Sequence, residues 1–231
     1  MNNLQPAHTE SEASKLIRFF RAGEQTRFRR GEHVLQEDSG TGETKRIFYI
    51  QEGFVKVYVP DRRGRKSIQI IYGPGEIFPL VWLNNSDLPL GRFFQSMGES
   101  VLCSRTKDEV MALFAADSEF AHDMLQQIIK QFALFHNRVA NLTHTYASER
   151  VAYRLVVLAD RFGVHDGDMV VIDVPLSHQT IADSINVSRE VVTREITKLT
   201  KNDIIKIEDD RIIITDITKL CRQFSTELLS S

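Results

Sequence analysis

The chain contains segments with two different hydrophobic periods. From about residue 19 to residue 116, short stretches rich in β-branched and aromatic residues alternate with turn-forming residues at intervals of about ten. Val55, Val57 and Val59 alternate with Lys56 and Tyr58, as in a strand with one buried face. The pattern predicts an antiparallel β-roll or sandwich for this part of the chain.

The period becomes helical at about residue 117. From there to about residue 162 there is no Pro or Gly, and apolar residues are spaced alternately four and three apart, which is the heptad pattern of a coiled coil. These positions, which we call the seam, are Ala121, Leu125, Ile128, Phe132, Phe135, Val139, Leu142 and Tyr146. Met124, Ile129 and Leu134 lie off the seam and can pack on the β segment. We therefore predict a parallel helix–helix homodimer along the seam; the alternative is that the seam packs on the chain's own β domain.

The last third of the chain combines short helices with hairpins. Residues 163–168 are polar and predict a turn before a strand at 169–174. Near the end, two isoleucine-rich segments, 204–207 and 212–214, flank a charged tip at 208–211, which predicts a β-hairpin.

Residues 176–199 carry the signals of two short helices joined by a tight turn. The Ser177 hydroxyl can cap the first helix by accepting from the backbone N–H of Thr180, and Ser188 can cap the second. Asn186 falls at the turn, where a left-handed conformation is needed and Asn tolerates it. This arrangement predicts a helix-turn-helix.

The outward side chains at the start of the second helix are Arg189, Glu190, Thr193 and Arg194. A recognition helix presents side chains to the major groove from this end. There Arg can bond guanine O6 and N7, and Glu can accept from the cytosine amine. Side chains expected to hold phosphates and set the register are Ser177, His178, Gln179 and Ser188. The plainer alternative is that this charged helix face is simply solvated.

Composition narrows the function classes. The chain has 231 residues and a net charge of −2, so positive charge for DNA binding must be confined to one face. It has two cysteines, Cys103 and Cys221, which cannot supply a disulfide framework, a tetrahedral zinc site or, within one chain, a four-cysteine iron–sulfur cluster. No stretch is long and apolar enough for a membrane span, and we expect a cytoplasmic protein.

These observations together predict an α+β protein with four segments. They are an N-terminal tail at 1–18, a β-roll sensor domain at 19–116, a dimerisation helix at 117–147 and a winged helix-turn-helix DNA-binding domain at 148–231.

The sequence resembles the CRP/FNR family of bacterial transcription regulators over nearly its whole length. Residues 187–194 match the family's recognition-helix pattern Ser-Arg-Glu-x-Val-x-Arg, and Gly53, the Pro-Gly-Glu at 74–76 and Phe78 resemble its cyclic-nucleotide-binding-like β-roll. The resemblance implies a homodimer that reads a two-fold, palindromic operator with TGTGA- or TTGA-like half-sites in double-stranded DNA. It also implies contact with RNA polymerase, in some relatives through the loop at 163–168.

The sequence departs from the family's cyclic-AMP-binding branch. Leu80 stands where the resemblance places a ribose-binding Glu, Phe93 follows Arg92 where a phosphate-binding Ser or Thr is needed, and Phe135-His136 replaces a Thr-Ser pair. An unpaired ribose hydroxyl would cost about 1–3 kcal/mol, which argues against cyclic AMP as effector. The side chains that can line an effector pocket, or equally fill it, are Phe78, Leu80, Trp82, Arg92, Phe93, Phe135 and His136.

The sequence identifies no cofactor and no metal site. The cysteine-rich N-terminus of the oxygen-sensing branch is absent, and haem is a less favoured alternative because His122, His136 and His144 are more simply surface or structural residues.

Two other function classes are alternatives to a DNA-binding regulator. A cupin-like metalloenzyme needs several histidines in its β domain, but His33 is the only one between His8 and His122, so we predict that the chain is not an enzyme. The remaining alternative is a ligand-responsive β-roll signalling module whose C-terminal domain contacts protein rather than DNA.

Overall fold

The computed structural model describes residues 14–36, 45–62, 64–84, 91–209 and 211–224. Within these residues the chain forms twelve β-strands, seven α-helices and one short 3-10 helix. Most of the predicted N-terminal tail, residues 1–13, lies outside the described residues, as do position 63 and position 210, the latter in the predicted hairpin tip at 208–211.

Residue contacts divide the chain into two compact units. As far as the structure describes them, unit 1 comprises Met1–Val55, Tyr72–Leu90 and Gln95–Phe132, and unit 2 comprises Lys56–Ile71, Gly91–Phe94 and Ala133–Ser231. The division therefore falls within the long helix and not at either of its predicted ends.

The main sheet of unit 1 has the strand order β1-β8-β3-β6. These strands are β1 (Glu24–Phe28), β3 (Arg46–Glu52), β6 (Ile77–Phe78) and β8 (Ser100–Thr106), and the pairs they form are antiparallel. Gly53 follows β3 with φ +83°, and a Cβ there would lie 2.4 Å from the carbonyl oxygen of Glu99. Only glycine combines this left-handed turn with such a close approach of the backbone.

A short helix, α1 (Lys15–Arg21), packs in the core of unit 1. Ser14 caps it by accepting from the backbone N–H of Ile17, and Leu16 and Phe20, one turn apart, are fully buried. The predicted tail at 1–18 is therefore wrong for its last residues. Two apolar positions four residues apart are too short a signal to identify a helix from the sequence.

A second four-stranded sheet has the order β2-β7-β4-β5. Its strands are β2 (His33–Gln36), β4 (Val55–Pro60), β5 (Lys66–Tyr72) and β7 (Phe93–Ser96). The predicted alternation holds at Val55 and Val57, which are buried while Lys56 is not, but it fails at Tyr58, which is buried, and at Val59, which is only partly buried. With the sheet of unit 1, these strands confirm the predicted β-rich N-terminal part of an α+β fold.

Two helices follow the β-rich segment. Helix α2 (Lys107–Ala116) begins with a capping box in which Thr106 and Glu109 satisfy each other's backbone N–H groups. Helix α3 (Ser118–Thr143) carries the predicted seam. Asp117 stabilises its start by accepting from the backbone N–H of Phe120 at 2.9 Å and by an ion pair with Lys15.

The seam on α3 is largely exposed. Phe132 is 73% exposed and Val139 62%, and Leu125, Ile128, Phe135 and Leu142 are also exposed, whereas Ala121 is partly buried. The helix ends at Thr143, so Tyr146, the last predicted seam residue, is exposed but lies just before the next helix. Ile129 was expected to pack inward, but it is 52% exposed and widens the apolar face. Met124 does pack in the core.

The C-terminal segment begins with helix α4 (Ala147–Phe162) and contains a third sheet with the order β11-β12-β10-β9. Its strands are β9 (Gly163–Asp166), β10 (Met169–Ile172), β11 (Ile205–Glu208) and β12 (Arg211–Ile214). The predicted turn at 163–168 is therefore mostly a strand, with the turn itself at Gly167, whose φ is +61°. Polar, exposed β9 has no alternating pattern from which a strand would be recognised.

Three helices complete the segment: α5 (His178–Ile185), α6 (Arg189–Lys201) and α7 (Ile217–Cys221). The predicted hairpin of isoleucine-rich strands is present as β11 and β12. No helix among the described residues is both long and apolar enough to cross a membrane.

Candidate nucleic-acid interface

The turn between α5 and α6 has the predicted caps. The Ser177 hydroxyl accepts from the backbone N–H of Thr180 at 3.0 Å, and the Ser188 hydroxyl accepts from that of Val191 at 3.4 Å. Asn186 adopts a left-handed conformation, with φ 55° and ψ 48°, and its backbone N–H bonds to the carbonyl of Ala182. The chain can thus reverse within the few residues that separate the two helices.

The inner faces of α5 and α6 are fixed by apolar packing. On α5, Ile181, Ala182 and Ile185 are buried, and on α6 the buried apolar residues are Val192, Ile196 and Leu199. The periodicity of these positions leaves the start of α6 with a polar outer face.

All four predicted base-reading residues lie on that outer face, and all are exposed. Arg189, Glu190, Thr193 and Arg194 fall within the first two turns of α6. The pKa of Glu190 is lowered, first by a hydrogen bond from its own backbone N–H and then by the Ser188 hydroxyl. Glu190 is therefore an anionic acceptor at neutral pH, as a contact with a cytosine amine requires.

Glu195, which the sequence reasoning did not single out, holds Arg194 in place. Its side chain is only 7% exposed, and its Oε1 accepts from Arg194 Nε and from Lys198 Nζ, both at 3.0 Å. Burial acts to raise the pKa of Glu195, but the bonds from Arg194 and Lys198 outweigh it and the pKa is lowered. Because its Nε is bonded to Glu195, the exposed Arg194 guanidinium is restrained at one end, which favours a defined approach to a base or phosphate.

Thr193 and His178 are bonded to each other. The Thr193 hydroxyl donates to the Arg189 carbonyl at 3.0 Å and lies 2.9 Å from His178 Nδ1. The hydroxyl group of Thr193 is thus engaged within the protein. His178 ties the start of α5 to α6.

The other predicted phosphate-positioning residues also have partners within the protein. Ser177 and Ser188 serve as helix caps, and Gln179 Nε2 donates to Asp183 Oδ1 at 2.6 Å. Burial raises the pKa of Asp183, while the hydrogen bond from Gln179 opposes this rise. These residues border the N-termini of α5 and α6, whose backbone N–H groups are suited to binding a phosphate.

The hairpin between β4 and β5 borders the start of α6. Ser67 Oγ donates to Asn186 Oδ1 at 3.1 Å. A solvent-open cleft of about 1480 Å³ is lined by residues 64–67 on one side and 186–190 on the other. The start of α6 and this hairpin therefore border the same cleft.

Arg138 of α3 connects the same hairpin to α5. Its Nη1 donates to the carbonyls of Ile68, at 2.5 Å, and Ser184, at 2.7 Å, and its Nη2 donates to Ser67 Oγ at 3.1 Å. Burial lowers the pKa of Arg138. The long helix, strand β5 and the first helix of the helix-turn-helix therefore meet at one side chain.

Comparison with known proteins assigns this geometry to a family. Residues 149–223, which include both helices and the β11–β12 hairpin, match the Crp-like helix-turn-helix domain. The CRP-like cAMP-activated global transcriptional regulator of Mycobacterium tuberculosis is 26% identical over 196 residues, covering 85% of this chain and 86% of that protein. Together these matches support a CRP/FNR-family transcription regulator.

Further relatives of this CRP/FNR regulator agree with that assignment. The global nitrogen regulator of Nostoc sp. is 26% identical, over 78% of this chain and 82% of that protein. Among solved structures, FixK2 from Bradyrhizobium japonicum has a TM-score of 0.75 at 18% identity, covering 88% of this chain and 98% of that chain. At that identity the match with FixK2 shows the fold alone.

The positions expected to form an effector pocket are mostly engaged in packing in this CRP/FNR regulator. Phe78 is fully buried and stacks on Phe48 and Tyr72, with ring centroids 5.6 and 5.1 Å apart. Leu80 and Trp82 pack against the core of unit 1.

In unit 2, Phe93 stacks on Tyr58 at 5.4 Å, and Phe135 and His136 on α3 are exposed. Arg92 is partly buried. Among the described residues of the regulator, no group of three or more His, Cys, Asp or Glu side chains is arranged to hold a metal ion.

Proposed function

We propose that this CRP/FNR regulator binds a two-fold operator in double-stranded DNA as a homodimer and reads each half-site with Arg189, Glu190 and Arg194. The observation that carries the proposal is the exposed, capped start of α6, where a buried carboxylate fixes Arg194 and an ionised Glu190 stands beside Arg189. These groups match guanine and cytosine edges in the major groove, and by family resemblance the half-sites are of the TGTGA or TTGA type.

The proposed dimer forms along the seam on α3. A continuous apolar stripe that includes Phe132 and Val139 would be costly to leave in water, and its heptad spacing suits a second parallel copy of the same helix. Pairing two α3 helices is what would set two recognition helices about one DNA turn, roughly 34 Å, apart.

We also propose that cyclic AMP is not the effector, although the M. tuberculosis relative is named as cAMP-activated. In this chain Leu80 packs in an apolar core and Phe93 stacks on a tyrosine, so neither position offers a polar group to a ribose or a cyclic phosphate. Millimolar cyclic AMP should leave the thermal unfolding midpoint unchanged, because only a ligand that binds the folded state raises it. A saturable upward shift would contradict this part of the proposal.

The DNA-binding proposal is tested by fluorescence anisotropy with a duplex that carries two inverted TGTGA half-sites, against a scrambled duplex at the same salt concentration. Wild-type protein is expected to prefer the operator, and Arg194→Ala should cost about 1–3 kcal/mol for each half-site and relax preference at one base pair. Arg27→Ala, an exposed arginine on β1, is the control for loss of one positive charge and should bind as wild type. Equal affinity for both duplexes, with and without cell extract to supply an effector, would overturn the proposal.

A further inference from the structure

Unit 2 contains a cleft whose charged lining residues are all arginines. It lies between α3, α4 and β5, is partly open to solvent, and leaves about 20 Å³ of space to the centre of a water-sized sphere. Arg138, Arg154 and Arg161 line it, and its other lining residues include neither Asp nor Glu. A lining with several arginines and no carboxylate side chain favours an anion over a cation.

Arg154 is the critical member of this cluster. It makes no hydrogen bond or ion pair with any residue that the structure describes, and its Nε is buried. Burial lowers the pKa of Arg154 to about 9, and the charges of Arg161 and Arg138 add to the effect. The buried Nε is thus a donor without an acceptor among the described residues, and an anion in the cleft would supply that acceptor.

The neighbouring arginines differ from Arg154 in this respect. Arg138 donates to two backbone carbonyls, and Arg150 donates to the carbonyl of Ile185 at 3.3 Å. Arg161 also interacts within the protein, and its guanidinium lies 4.4 Å from the centre of the Phe162 ring. Arg154 is therefore the arginine of this cleft whose donors are most available to a ligand.

Asn141 adds a requirement for a donor on the ligand. Its Nδ2 donates to the carbonyl of Arg150 at 3.0 Å, which fixes the amide orientation. Its Oδ1 is buried and has no hydrogen-bond partner among the described residues. A ligand that both accepts from Arg154 and donates to Asn141 would satisfy both groups. Hydrogenphosphate, with its P–O–H group, has this property, whereas sulfate at neutral pH only accepts.

The cleft is separate from the surfaces already described. Its α3 residues Leu134, Asn137, Arg138 and Asn141 lie on one face of the helix, at spacings of three and four. The exposed seam occupies another face of α3, and the base-reading residues on α6 do not line this cleft.

We propose that this cleft binds a phosphate group, either free or on a small phosphate monoester, with Arg154 as its principal ligand and Arg161 and Asn141 as secondary contacts. Since Arg138 joins α3 to β5 and α5, a phosphate there occupies the place where these three elements meet.

The test is a titration of the purified full-length protein with inorganic phosphate at constant pH and ionic strength, followed by calorimetry and thermal unfolding, with sulfate as the comparison ion. Wild-type protein should show saturable binding, an unfolding midpoint that rises by about 5 °C near saturation, and weaker binding of sulfate. Arg154→Met should weaken phosphate binding at least about tenfold, which corresponds to the loss of about 1.4 kcal/mol. Its unfolding midpoint in phosphate-free buffer should be equal to or higher than that of wild type, because the buried charge is gone.

Arg27→Met removes the same charge from an exposed strand and should titrate as wild type. If Arg154→Met does not fold, Arg161→Met provides the second variant and should also bind phosphate more weakly. Equal phosphate responses in wild-type and variant proteins, or no saturable response in wild type, would overturn the proposal and indicate that water fills the cleft. A crystal structure of the protein grown in phosphate that showed phosphate density only outside this cleft would also overturn the proposal. The titration contains no DNA, so its outcome is independent of operator binding.

Discussion

Phe132 offers the most direct test of the proposed dimer. A phenylalanine side chain buries about 200 Å² when fully covered, so at 73% exposure about 150 Å² remains for a partner helix. At about 25 cal/mol per Å² this is worth about 3.5 kcal/mol, of which we expect Phe132→Ala to remove about 2 kcal/mol per protomer. Because two-fold symmetry doubles the effect, the dimer should lose about 4 kcal/mol and its dissociation constant should rise about a thousandfold.

The assay is sedimentation equilibrium over a protein concentration range, combined with operator binding. Phe132→Ala should shift toward monomer and lose operator affinity in parallel, while keeping the circular dichroism of wild type because the side chain is 73% exposed in the protomer. Phe114→Ala is the matched control, since Phe114 is an exposed phenylalanine on α2 away from the seam. A variant that remains dimeric at the concentrations where wild type does would refute the assignment of the seam.

Two further predictions concern the helix-turn-helix. Asn186→Ala should lower the free energy of unfolding by about 1 kcal/mol, because alanine tolerates φ 55° poorly, while Asn186→Gly should be close to neutral. The measurement is urea unfolding. The control is Asn202→Ala at the end of α6, where φ is −95° and no loss of stability is expected. If Asn186→Ala matched wild type, the turn would not depend on a left-handed residue. The second prediction is that Glu195→Gln should cost about 1 kcal/mol at pH 7, a value kept small because Arg194 and Lys198 are 61% and 60% exposed and solvent screens them. Since the pKa of Glu195 is lowered from 4.5, the stabilisation by its carboxylate is present above pH 4.5 and is lost as pH falls through the folded-state pKa. The difference in free energy of unfolding between wild type and Glu195→Gln should therefore disappear in acid. A difference that stayed constant from pH 7 to about pH 3 would contradict the ion-pair assignment.

The helix-turn-helix was predictable because its determinants are local. Ser177, Ser188 and Asn186 act on backbone groups within four residues of themselves, so residue type and spacing suffice to locate caps and turn. The seam was predictable for a related reason, since heptad spacing is visible along the chain. The sequence could not show that Ile129 faces outward, because its position borders two faces of α3 and tertiary packing decides between them.

The rest of the candidate interface depends on contacts between residues whose spacing along the sequence follows no recognisable pattern. The bond between His178 and Thr193 joins two helices across the turn, and the one between Ser67 and Asn186 spans 119 positions. Glu195 looked like one more surface charge on a polar helix. Its role follows from its burial between Arg194 and Lys198, which no period in the sequence reveals.

Arg138 has a consequence for how this protein can evolve. Two of its three acceptors are main-chain carbonyls, at Ile68 and Ser184, which every amino acid provides. The side chains at those two positions can therefore drift without loss of the bonds, whereas the arginine cannot be replaced without losing them all. At these two contacts selection therefore acts on Arg138 alone, and pairwise covariation between homologues would leave both of them undetected.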